Sequence, residues 1–574
     1  MKSLLIYLKN YKKESVFAPL FKMLEAIFEL IVPLVVSSVI DNGILKNNYS
    51  RILSDVGIMA ALAVVGMAVS VTAQYFAAKA AAGFGRELRF DLFRKIQSLS
   101  FSELDSAGTS TLVTVMTNDT AQVQNGVNMV LRLFLRSPFI VFGALVLAFT
   151  IDVKCALVFL VTIPVLTAVI VLIMKYTMPR YRSIQFELDN LTLKTRENLA
   201  GARVIRAFTS EAEETEKFYE QNRILSRLQK AVGRVSALMN PLTYVIINVA
   251  IIVLIYEGGI RVNIGDLSQG QVVALYNYMS QILVELIKLA NLIVTVTRSF
   301  ACASRIENIF KLENTLESNN NSAKKNEYSV AFENVSLKYK GSAEESLKNI
   351  SFTANKGEII GIIGGTGSGK SSLVSLIPHF YDATDGTVYV NGTDVKAQDA
   401  QTLRSKIGFV LQKAVLFKGT VRENLKWGNK NASDEEMIEA LKNAQVLETM
   451  NEKGGLDAEI RQGGANLSGG QKQRLSVARA LVRKPEILIL DDSSSALDFA
   501  TEAAMRKAVL NLSYKPTVFI VSQRASSVMF ADCIIVLDDG ICVGLGTHDE
   551  LLKNCEVYRE IYESQFSKEA AAND

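Results

Sequence analysis

Long apolar runs fill the first half of the 574-residue chain and are absent from the second half. Each of the six runs approaches the ~20 residues that an α-helix needs to cross a bilayer, although three residues separate the third run from the fourth. Six such runs in one half are too many for the buried helices of a large soluble core. The pattern predicts six membrane-spanning helices, at about 16–40, 56–78, 133–151, 155–174, 238–256 and 272–297.

Basic residues predict the orientation of these helices. The three short connections between runs hold four Lys and Arg residues, whereas the stretches 79–136 and 175–234 hold seven and twelve. Because basic residues concentrate on the cytoplasmic side, the long stretches and both termini should face the cytoplasm. Their periodicity predicts helices that continue beyond the membrane, interrupted by polar turns at "TNDTAQ" (117–122) and "FTSEAEE" (208–214). The N-terminal "MKSLLIYLKNYKK" lacks a small-residue cleavage site and predicts an interfacial helix.

Composition narrows the class of protein further. The net charge of +4, from 62 basic and 58 acidic residues, is too even for a nucleic-acid binder. Five scattered cysteines predict reduced thiols, and two histidines nearly exclude a histidine-built metal site. A polar stretch, "ESNNNSAKKNE" (317–327), predicts a linker. We therefore expect a transmembrane domain at 1–311, a linker at 312–328 and a soluble domain at 329–574.

The segment "GEIIGIIGGTGSGKSS" (357–372) predicts a strand, a glycine-rich loop and the start of a helix. Gly364 to Ser371 fits G-x-x-x-x-G-K-S, in which backbone N–H groups surround phosphate oxygens at the positive end of a helix. Lys370 is expected to reach the β- and γ-phosphates, and Ser371 is expected to place its hydroxyl on Mg²⁺. The predicted nucleotide-binding residues of this loop are Gly364, Gly365, Thr366, Gly367, Ser368, Gly369, Lys370, Ser371 and Ser372.

A second buried strand, "EILIL" (486–490), ends in two aspartates, Asp491 and Asp492. An acidic side chain at the end of such a strand commonly binds Mg²⁺ beside a nucleotide, and Asp491 is in that position. The glycine-rich loop and this strand together predict an ATP or GTP site.

The motif "LSGGQKQR" (467–474) narrows the class of nucleotide site. With it, the chain resembles ABC exporters in which a membrane half and an ATP-binding cassette are fused in one chain. The resemblance covers nearly the whole length, through "FSELDSAGTSTLVTVMTND", "ENLAGARVIRAF", "LIPHFYDATDGTVYVNG", "LRSKIGFVLQKAVLFKGTVRENL" and "SSALD". It implies a six-helix transmembrane domain with long cytoplasmic helical extensions, followed by an α/β P-loop nucleotide-binding domain.

The resemblance also implies roles for individual residues. Tyr339 is expected to stack on adenine, Gln412 to sense Mg²⁺ and signal to the membrane helices, and Asp498 to make contacts across a cassette dimer. The implied Mg²⁺ site comprises Ser371, Gln412 and Asp491. The signature residues expected to cap nucleotide held by a second cassette are Ser468, Gly469, Gly470 and Gln471.

Three features depart from the family pattern: Asp492 replaces a glutamate, Gln523 replaces a histidine, and "EIRQGGANLSGGQ" lacks the usual V-G-E. A carboxylate shortened by about 1.5 Å, one C–C bond, no longer reaches the attacking water well. Misplacement near 1 Å can cost on the order of 10²-fold in rate. Gln523 can hydrogen-bond a γ-phosphate but cannot carry the charge of an imidazolium. The chain's own phosphate site should therefore bind ATP firmly and hydrolyse it poorly.

The intact signature predicts a second role for the chain. We expect one half of a heterodimeric exporter that moves amphipathic small molecules or lipids across the cytoplasmic membrane and completes the hydrolytic site of its partner. A homodimeric slow exporter, a lipid flippase and an ATP-gated regulatory membrane protein are the alternatives, although no regulatory insertion is visible at 306–328. A peptide exporter with its own protease is disfavoured because no extra N-terminal domain is visible. The six spans exclude a soluble DNA-repair ATPase.

Polar residues recur on one face of the sixth predicted span, at offsets of 0, 4, 8, 11 and 14. Ionisable groups at membrane depth normally face a cavity or each other. Two interpretations stay open, a substrate path or simple pairing of Glu285 with Lys288 between helices. Lys22, Glu25 and Glu29 in the first span raise the same choice. The candidate path residues are Asn277, Gln281, Glu285, Lys288 and Asn291.

Overall fold

The computed structural model describes residues 3–313, 316, 327–493 and 497–572. The chain divides into two compact units, the first formed by Met1–Gln97 and Ser110–Lys311, and the second by Ser98–Thr109 and Leu312–Asp574. The segment Ser98–Thr109 therefore belongs to the second unit, although it lies in the membrane half of the sequence. Most of the predicted linker, residues 317–326, lies outside the described residues.

Within its described residues, the first unit contains six helices long and apolar enough to cross a membrane. The six-span prediction is confirmed, because each predicted span lies inside one of these helices. The helices contain 41 to 54 residues, about twice the ~20 that cross a bilayer, so they continue well beyond it. The first to sixth spanning helices are Leu4–Ile44, Tyr49–Ser98, Thr109–Ile151, Val153–Ala200, Glu211–Ile264 and Gln269–Lys311.

The core of the first unit lies where the first, third, fourth, fifth and sixth spanning helices bring their apolar faces together. Small buried residues such as Ala144 and Ala156 let the helices approach closely. The buried Tyr278 hydroxyl donates to the Leu30 carbonyl at 2.7 Å and ties the sixth helix to the first. Asp41 accepts a hydrogen bond at 2.8 Å from the backbone N–H of Gly270 and so caps the sixth helix.

The turn predicted at "TNDTAQ" is wrong, because this segment is helical within Val115–Asp119 and Thr120–Leu133. Its polarity serves an interhelical contact instead: the buried Asp119 carboxylate accepts hydrogen bonds of 2.6 and 2.7 Å from Arg305. The chain turns earlier, where extended Ser100 and left-handed Gly108 delimit the short helix Phe101–Ala107.

The turn predicted at "FTSEAEE" is present at its first three residues. Phe208, Thr209 and Ser210 lie outside helices, and Thr209 has a left-handed backbone with φ of 52°. The helix begins at Glu211, so the acidic residues of the motif occupy its first turn. Negative side chains there stabilise the helix through its dipole.

The second unit is built around β-sheets. Its described strands are β1 Val330–Leu337, β2 Leu347–Ala354, β3 Ile359–Gly364, β4 Asp385–Val390, β5 Thr393–Asp394, β6 Ile407–Val410, β7 Gly419–Thr420, β8 Glu459–Ile460, β9 Ile487–Asp491, β10 Thr517–Ser522, β11 Cys533–Asp538 and β12 Ile541–Gly546. The central sheet has six strands in the order β12-β11-β3-β10-β9-β6, and all neighbours are parallel except the edge strand β12. A four-stranded antiparallel sheet, β2-β1-β4-β5, and the pair β7-β8 accompany it.

Near-continuous apolar runs such as "ILIL" form the central parallel strands, which are buried on both faces. The carboxyl ends of β3, β10, β9 and β6 are neighbours, so the loops that follow them converge on one edge of the sheet. This edge is the expected position of a ligand in a parallel α/β sheet. The α-helices of the second unit, apart from Phe101–Ala107, are Lys370–Leu376, Ala400–Ser405, Val421–Lys426, Asp434–Asn443, Leu447–Asn451, Gly469–Leu481, Phe499–Leu510, His548–Asn554 and Glu556–Ala572.

Candidate functional site

The glycine-rich loop joins the end of β3 to the helix Lys370–Leu376. Gly369 has a left-handed backbone with φ of 92°, and a Cβ there would lie 2.6 Å from the Ser346 carbonyl oxygen. At Gly364 a Cβ would lie 2.1 Å from the Leu537 carbonyl oxygen. Glycine is therefore required at both ends of the loop, and the open loop leaves its backbone N–H groups available to an anion.

Lys370 folds back over this loop. Its ammonium donates hydrogen bonds to the carbonyls of Gly364 at 2.9 Å and Gly365 at 2.5 Å. Burial lowers the pKa of Lys370, while the negative charges of Asp492 and Asp491 act in the opposite direction. A phosphate would accept stronger, charge-assisted hydrogen bonds than the two neutral carbonyls do. The ammonium is thus positioned at the point where the loop would bind phosphate.

Ser371 and Asp491 come together as the sequence predicted. The Ser371 hydroxyl donates to the Asp491 carboxylate at 2.9 Å. Burial raises the pKa of Asp491, an effect that the Ser371 hydrogen bond opposes and the charge of Asp492 reinforces. A hydroxyl beside a buried carboxylate supplies two oxygen ligands suited to Mg²⁺, which takes few protein ligands and completes its shell with water and phosphate.

Asp492 lies at the bend that follows β9. Its backbone is left-handed, with φ of 43°, a conformation that aspartate adopts more readily than most residues. The side chain is 9% exposed, and its carboxylate accepts a hydrogen bond at 3.1 Å from the Gln412 side chain. Gln412, predicted to join Ser371 and Asp491 around Mg²⁺, therefore contacts the neighbouring carboxylate in this structure.

Gln523 follows β10 and lies beside the glycine-rich loop. Its side-chain carbonyl accepts a hydrogen bond from the Thr366 hydroxyl at 3.4 Å. Its backbone carbonyl is held by the Gln565 amide at 2.9 Å. The structure therefore brings the two altered positions, Asp492 and Gln523, to the same edge as the loop, after adjacent strands β9 and β10.

Tyr339 is linked to the glycine-rich loop and to a second tyrosine. Its hydroxyl donates to the Ser372 hydroxyl at 2.9 Å, and its ring meets Tyr381 edge-on with centroids 5.0 Å apart. The Tyr381 hydroxyl donates to Asp105, on the short helix Phe101–Ala107, at 2.7 Å. Burial raises the pKa of both tyrosines, and Asp105 raises that of Tyr381 further.

The sequence reasoning missed Tyr381 and Asp105. The adjacent aromatic residues in "PHFYD" were the available signal, because Phe380 also packs against Phe101 with ring centroids 4.4 Å apart. Phe380 and Tyr381 thus both contact the short helix Phe101–Ala107.

The signature residues begin the helix Gly469–Leu481. Ser468 and Gln471 form a reciprocal capping box, in which the Ser468 hydroxyl accepts from the Gln471 N–H at 3.3 Å. Ser468 and Gly469 are exposed, and Gly470 is half-buried. Within the described residues, no hydrogen bond joins the signature to the glycine-rich loop of the same chain. The start of this helix is an exposed, electropositive helix end that can accept an anion from outside the chain.

Asp498 caps the helix Phe499–Leu510 and accepts hydrogen bonds from the backbone N–H and the hydroxyl of Thr501, at 2.9 and 2.8 Å. These hydrogen bonds lower the pKa of Asp498. The preceding part of the "SSALD" motif, residues 494–496, lies outside the described residues. The expected contact of Asp498 across a dimer stays a prediction.

In the first unit, Glu285 of the polar stripe is surrounded by hydrogen-bond donors. Its carboxylate accepts from Lys288 at 2.8 Å, from Ser137 at 2.7 Å and from Arg136 at 2.7 Å. Arg136 also donates to both oxygens of Glu29, at 2.7 and 2.8 Å. The pairing of Glu285 with Lys288 is therefore part of a larger ion cluster that joins the first, third and sixth spanning helices. The sequence reasoning did not single out Arg136.

The same stripe also lines a cavity of about 500 Å³. The stripe therefore lines a cavity and also pairs Glu285 with Lys288, so both arrangements left open by the sequence are present together. Asn291, the last member of the predicted stripe, is exposed and lies outside this lining. The lining residues are Glu29, Val32, Pro33, Val36, Ile140, Asn277, Ser280, Gln281, Val284, Glu285 and Lys288.

Comparison with known proteins gives the family. Residues 16–286 match the ABC transporter transmembrane region, and residues 347–495 match the ABC transporter family of nucleotide-binding domains. The chain is 37% identical to the uncharacterized ABC transporter ATP-binding protein YfiB of Bacillus subtilis over 573 residues, or 100% of each chain. It is 31% identical to YgaD of the same organism, a putative multidrug export ATP-binding/permease protein, over 98% of this chain and 99% of the relative.

A solved structure shares the fold. The structure of a bacterial Atm1-family ABC exporter with ATP bound covers 96% of this chain and 98% of its own, with a TM-score of 0.80 and 22% sequence identity. The chain therefore belongs to the ABC transporter family, as a half-transporter that joins a transmembrane region and an ATPase domain in one chain. It is a multi-pass inner-membrane protein with a cytoplasmic nucleotide-binding domain, and the predicted fold class is confirmed.

Proposed function

We propose that this chain is one half of a heterodimeric ABC exporter, that its own phosphate site holds MgATP with little turnover, and that its signature completes the hydrolytic site of the partner. The observation that carries the proposal is the geometry after β9. The Asp492 carboxylate, one methylene shorter than glutamate, is held by Gln412 at 3.1 Å on a left-handed backbone. The second altered residue, Gln523, contacts the loop that would hold the same nucleotide.

The phosphate site keeps the groups that bind nucleotide. The loop amides and Lys370 would hold the β- and γ-phosphates, and Ser371 with Asp491 would hold Mg²⁺, which neutralises charge on those phosphates when bound. Binding depends on many donors, and those of the glycine-rich loop, Lys370 and Ser371 all match the motif. Hydrolysis needs in addition a carboxylate within about 3 Å of the water, and Asp492 is about 1.5 Å too short. Gln523 supplies no positive charge to the transition state.

The signature side supplies the second half of the proposal. ABC exporters work as dimers, and the exposed helix end at Ser468 and Gly469 is complete in this chain. It would complete a site whose phosphate loop, carboxylate and histidine belong to the partner. A homodimer would contain two copies of the Asp492 site and none with the longer carboxylate, so the heterodimer explains the sequence better.

We further propose that the transported compounds are amphipathic. The cavity beside the sixth helix combines charged groups at Glu29 and Lys288 with apolar walls at Val32, Val36 and Val284. The description of the relative YgaD as a putative multidrug exporter agrees with such a surface. A lipid flippase would use the same kind of surface and remains the second candidate.

Assembly gives the test of the heterodimer. The chain is purified alone, and also after co-expression with a second half-transporter that carries Glu and His at the two altered positions. ATPase should be low for the single chain and high for the pair. A Lys370→Ala variant of the single chain measures contaminating ATPase. Turnover by the single chain comparable to that of the pair would overturn the proposal.

A further inference from the structure

The cavity beside the sixth spanning helix has a polar end of unusual composition. Glu29 and Glu285 contribute two negative charges, and Arg136 and Lys288 contribute two positive charges. Arg136 and Glu285 are paired with each other and are almost fully buried, with side chains 6% and 4% exposed. Glu25 lies 3.9 Å from Arg136 and is itself paired with Lys22, so the charges of the cluster still balance. Glu29 and Lys288 are the two outer members, the charged side chains most exposed to a ligand.

Those two outer members have opposite charges. Glu29 is 44% exposed and accepts from Arg136 at both carboxylate oxygens, each of which keeps a further acceptor position. Lys288 is 41% exposed and uses one of its three N–H groups on Glu285. One arginine and one carboxylate separate them. A ligand in the cavity would therefore meet both an acceptor for a cation, at Glu29, and a donor for an anion, at Lys288.

Two amides beside the charged groups are also incompletely paired. The Gln281 side chain donates to the Glu29 backbone carbonyl at 3.4 Å, while its buried side-chain oxygen has no hydrogen-bond partner among the described residues. The Asn277 amide, one turn away, makes no hydrogen bond within the described part of the chain. Buried acceptors without a donor are uncommon in folded proteins, so a ligand with N–H groups would satisfy Gln281.

We infer that this cavity selects amphiphiles with a zwitterionic head in which the cationic part carries N–H groups. The ammonium would lie between Glu29 and Gln281, the anionic part at Lys288, and the apolar body along Val32, Val36 and Val284. A permanently charged lipophilic cation would offer no anion to the remaining N–H groups of Lys288 and would bring a net charge to a neutral site. The inference rests on the proposed amphiphile export and names the class of substrate.

The test uses four amphiphiles that share one fluorescently labelled acyl chain and differ only in the head. The heads are phosphoethanolamine (zwitterion with N–H groups), phosphocholine (zwitterion without them), phosphoglycerol (anion) and trimethylammonium (cation). Binding to the assembled transporter in nanodiscs is measured by fluorescence anisotropy without nucleotide. The phosphoethanolamine compound should bind about tenfold tighter than the trimethylammonium compound, the gain expected of one charge-assisted hydrogen bond.

Variants assign the selectivity to individual side chains. Lys288→Met should weaken the phosphoethanolamine and phosphoglycerol compounds about tenfold and leave the cation unchanged. Gln281→Leu should remove the preference for phosphoethanolamine over phosphocholine. Both variants leave Arg136 unchanged, so the ion pairs of Arg136 with Glu29 and Glu285 are preserved. Asn291→Leu, on the same helix outside the cavity, is the matched control and should change nothing.

Several results would overturn the inference. Tighter binding of the cationic head, or equal effects of Lys288→Met on all four compounds, would show that the cavity does not select a zwitterion. Because binding is measured without ATP, it stays informative if the heterodimer proposal fails. Conversely, normal ATPase together with equal binding of all four head groups would reject the substrate class. It would not affect the proposal that the partner's site hydrolyses ATP while this chain's own site mainly binds it.

Discussion

Two regions of the second unit differ in how much of the family pattern they retain: the sheet edge that carries the glycine-rich loop, and the signature helix Gly469–Leu481. The edge retains Lys370, Ser371 and Asp491 in binding geometry but carries Asp492 and Gln523 where the family has a glutamate and a histidine. The signature helix retains its whole motif and a complete capping box. Nucleotide binding and nucleotide hydrolysis therefore have separate structural requirements: many redundant donors for binding, and one carboxylate placed within about 1 Å for hydrolysis.

The largest effect is expected at the signature. Ser468→Ala removes a hydroxyl that would donate to the partner's nucleotide as charge builds on the transferring phosphoryl group. ATPase of the assembled transporter should fall about 10²-fold, the scale of losing one such donor. Steady-state phosphate release measures it.

The same substitution also removes a helix cap, worth about 1 kcal/mol of stability. Ser433→Ala is the matched control, because Ser433 forms the same type of capping box with Glu436 on the helix Asp434–Asn443. It should lower stability to a similar extent and leave ATPase near that of the parent. Equal loss of ATPase in both variants would mean that the cap, and not the phosphate contact, is what matters.

A smaller effect, of opposite sign, is expected when the altered pair is restored. Asp492→Glu with Gln523→His should give this chain's own site turnover through a placed acid–base group, raising ATPase of the assembled transporter by up to about twofold, since two competent sites then replace one. Asp492→Glu alone should give less, because Gln523 still supplies no positive charge to the transition state. No gain from the double variant would mean that the site is limited elsewhere, as in the loop itself.

An effect of similar size, on substrate stimulation of ATPase, is expected at Tyr381. Tyr381→Phe removes only the hydrogen bond to Asp105, on a helix joined by the chain to the second and third spanning helices. Losing about 1 kcal/mol from this link should lower substrate stimulation of ATPase about twofold and leave ATP affinity unchanged. The control is Tyr389→Phe, since the Tyr389 hydroxyl makes no hydrogen bond in the described residues. A fall in ATP affinity would assign Tyr381 to the nucleotide site instead.

The nucleotide loops could be predicted from the sequence because their chemistry is local. Gly364, Gly369, Lys370 and Ser371 lie within eight consecutive residues, and the backbone they require can be recognised from glycine spacing. The six spans were predictable for a similar reason, since a bilayer sets the length of an apolar run.

The contacts that the sequence reasoning missed are all distant along the chain. Arg136 meets Glu285 across 149 residues and Glu29 across 107, and Tyr381 meets Asp105 across 276. No periodicity links such pairs, because they meet only when helices pack. The turn was wrongly predicted at "TNDTAQ" for the same reason, since Asp119 of this segment is buried against Arg305, which lies 186 residues later.

The smallest predicted effect gives the most direct test of the central claim, that this chain's own site binds ATP without being the main site of hydrolysis. Asp492→Ala removes a carboxylate that is already too short, from a site that supplies less than half of the turnover, so ATPase of the assembled transporter should fall by less than about twofold, well below the 10²-fold cost of losing a working catalytic group. ATP binding should persist through Lys370 and the loop. Loss of ATPase as complete as in Ser468→Ala would make Asp492 the working base and would contradict the account.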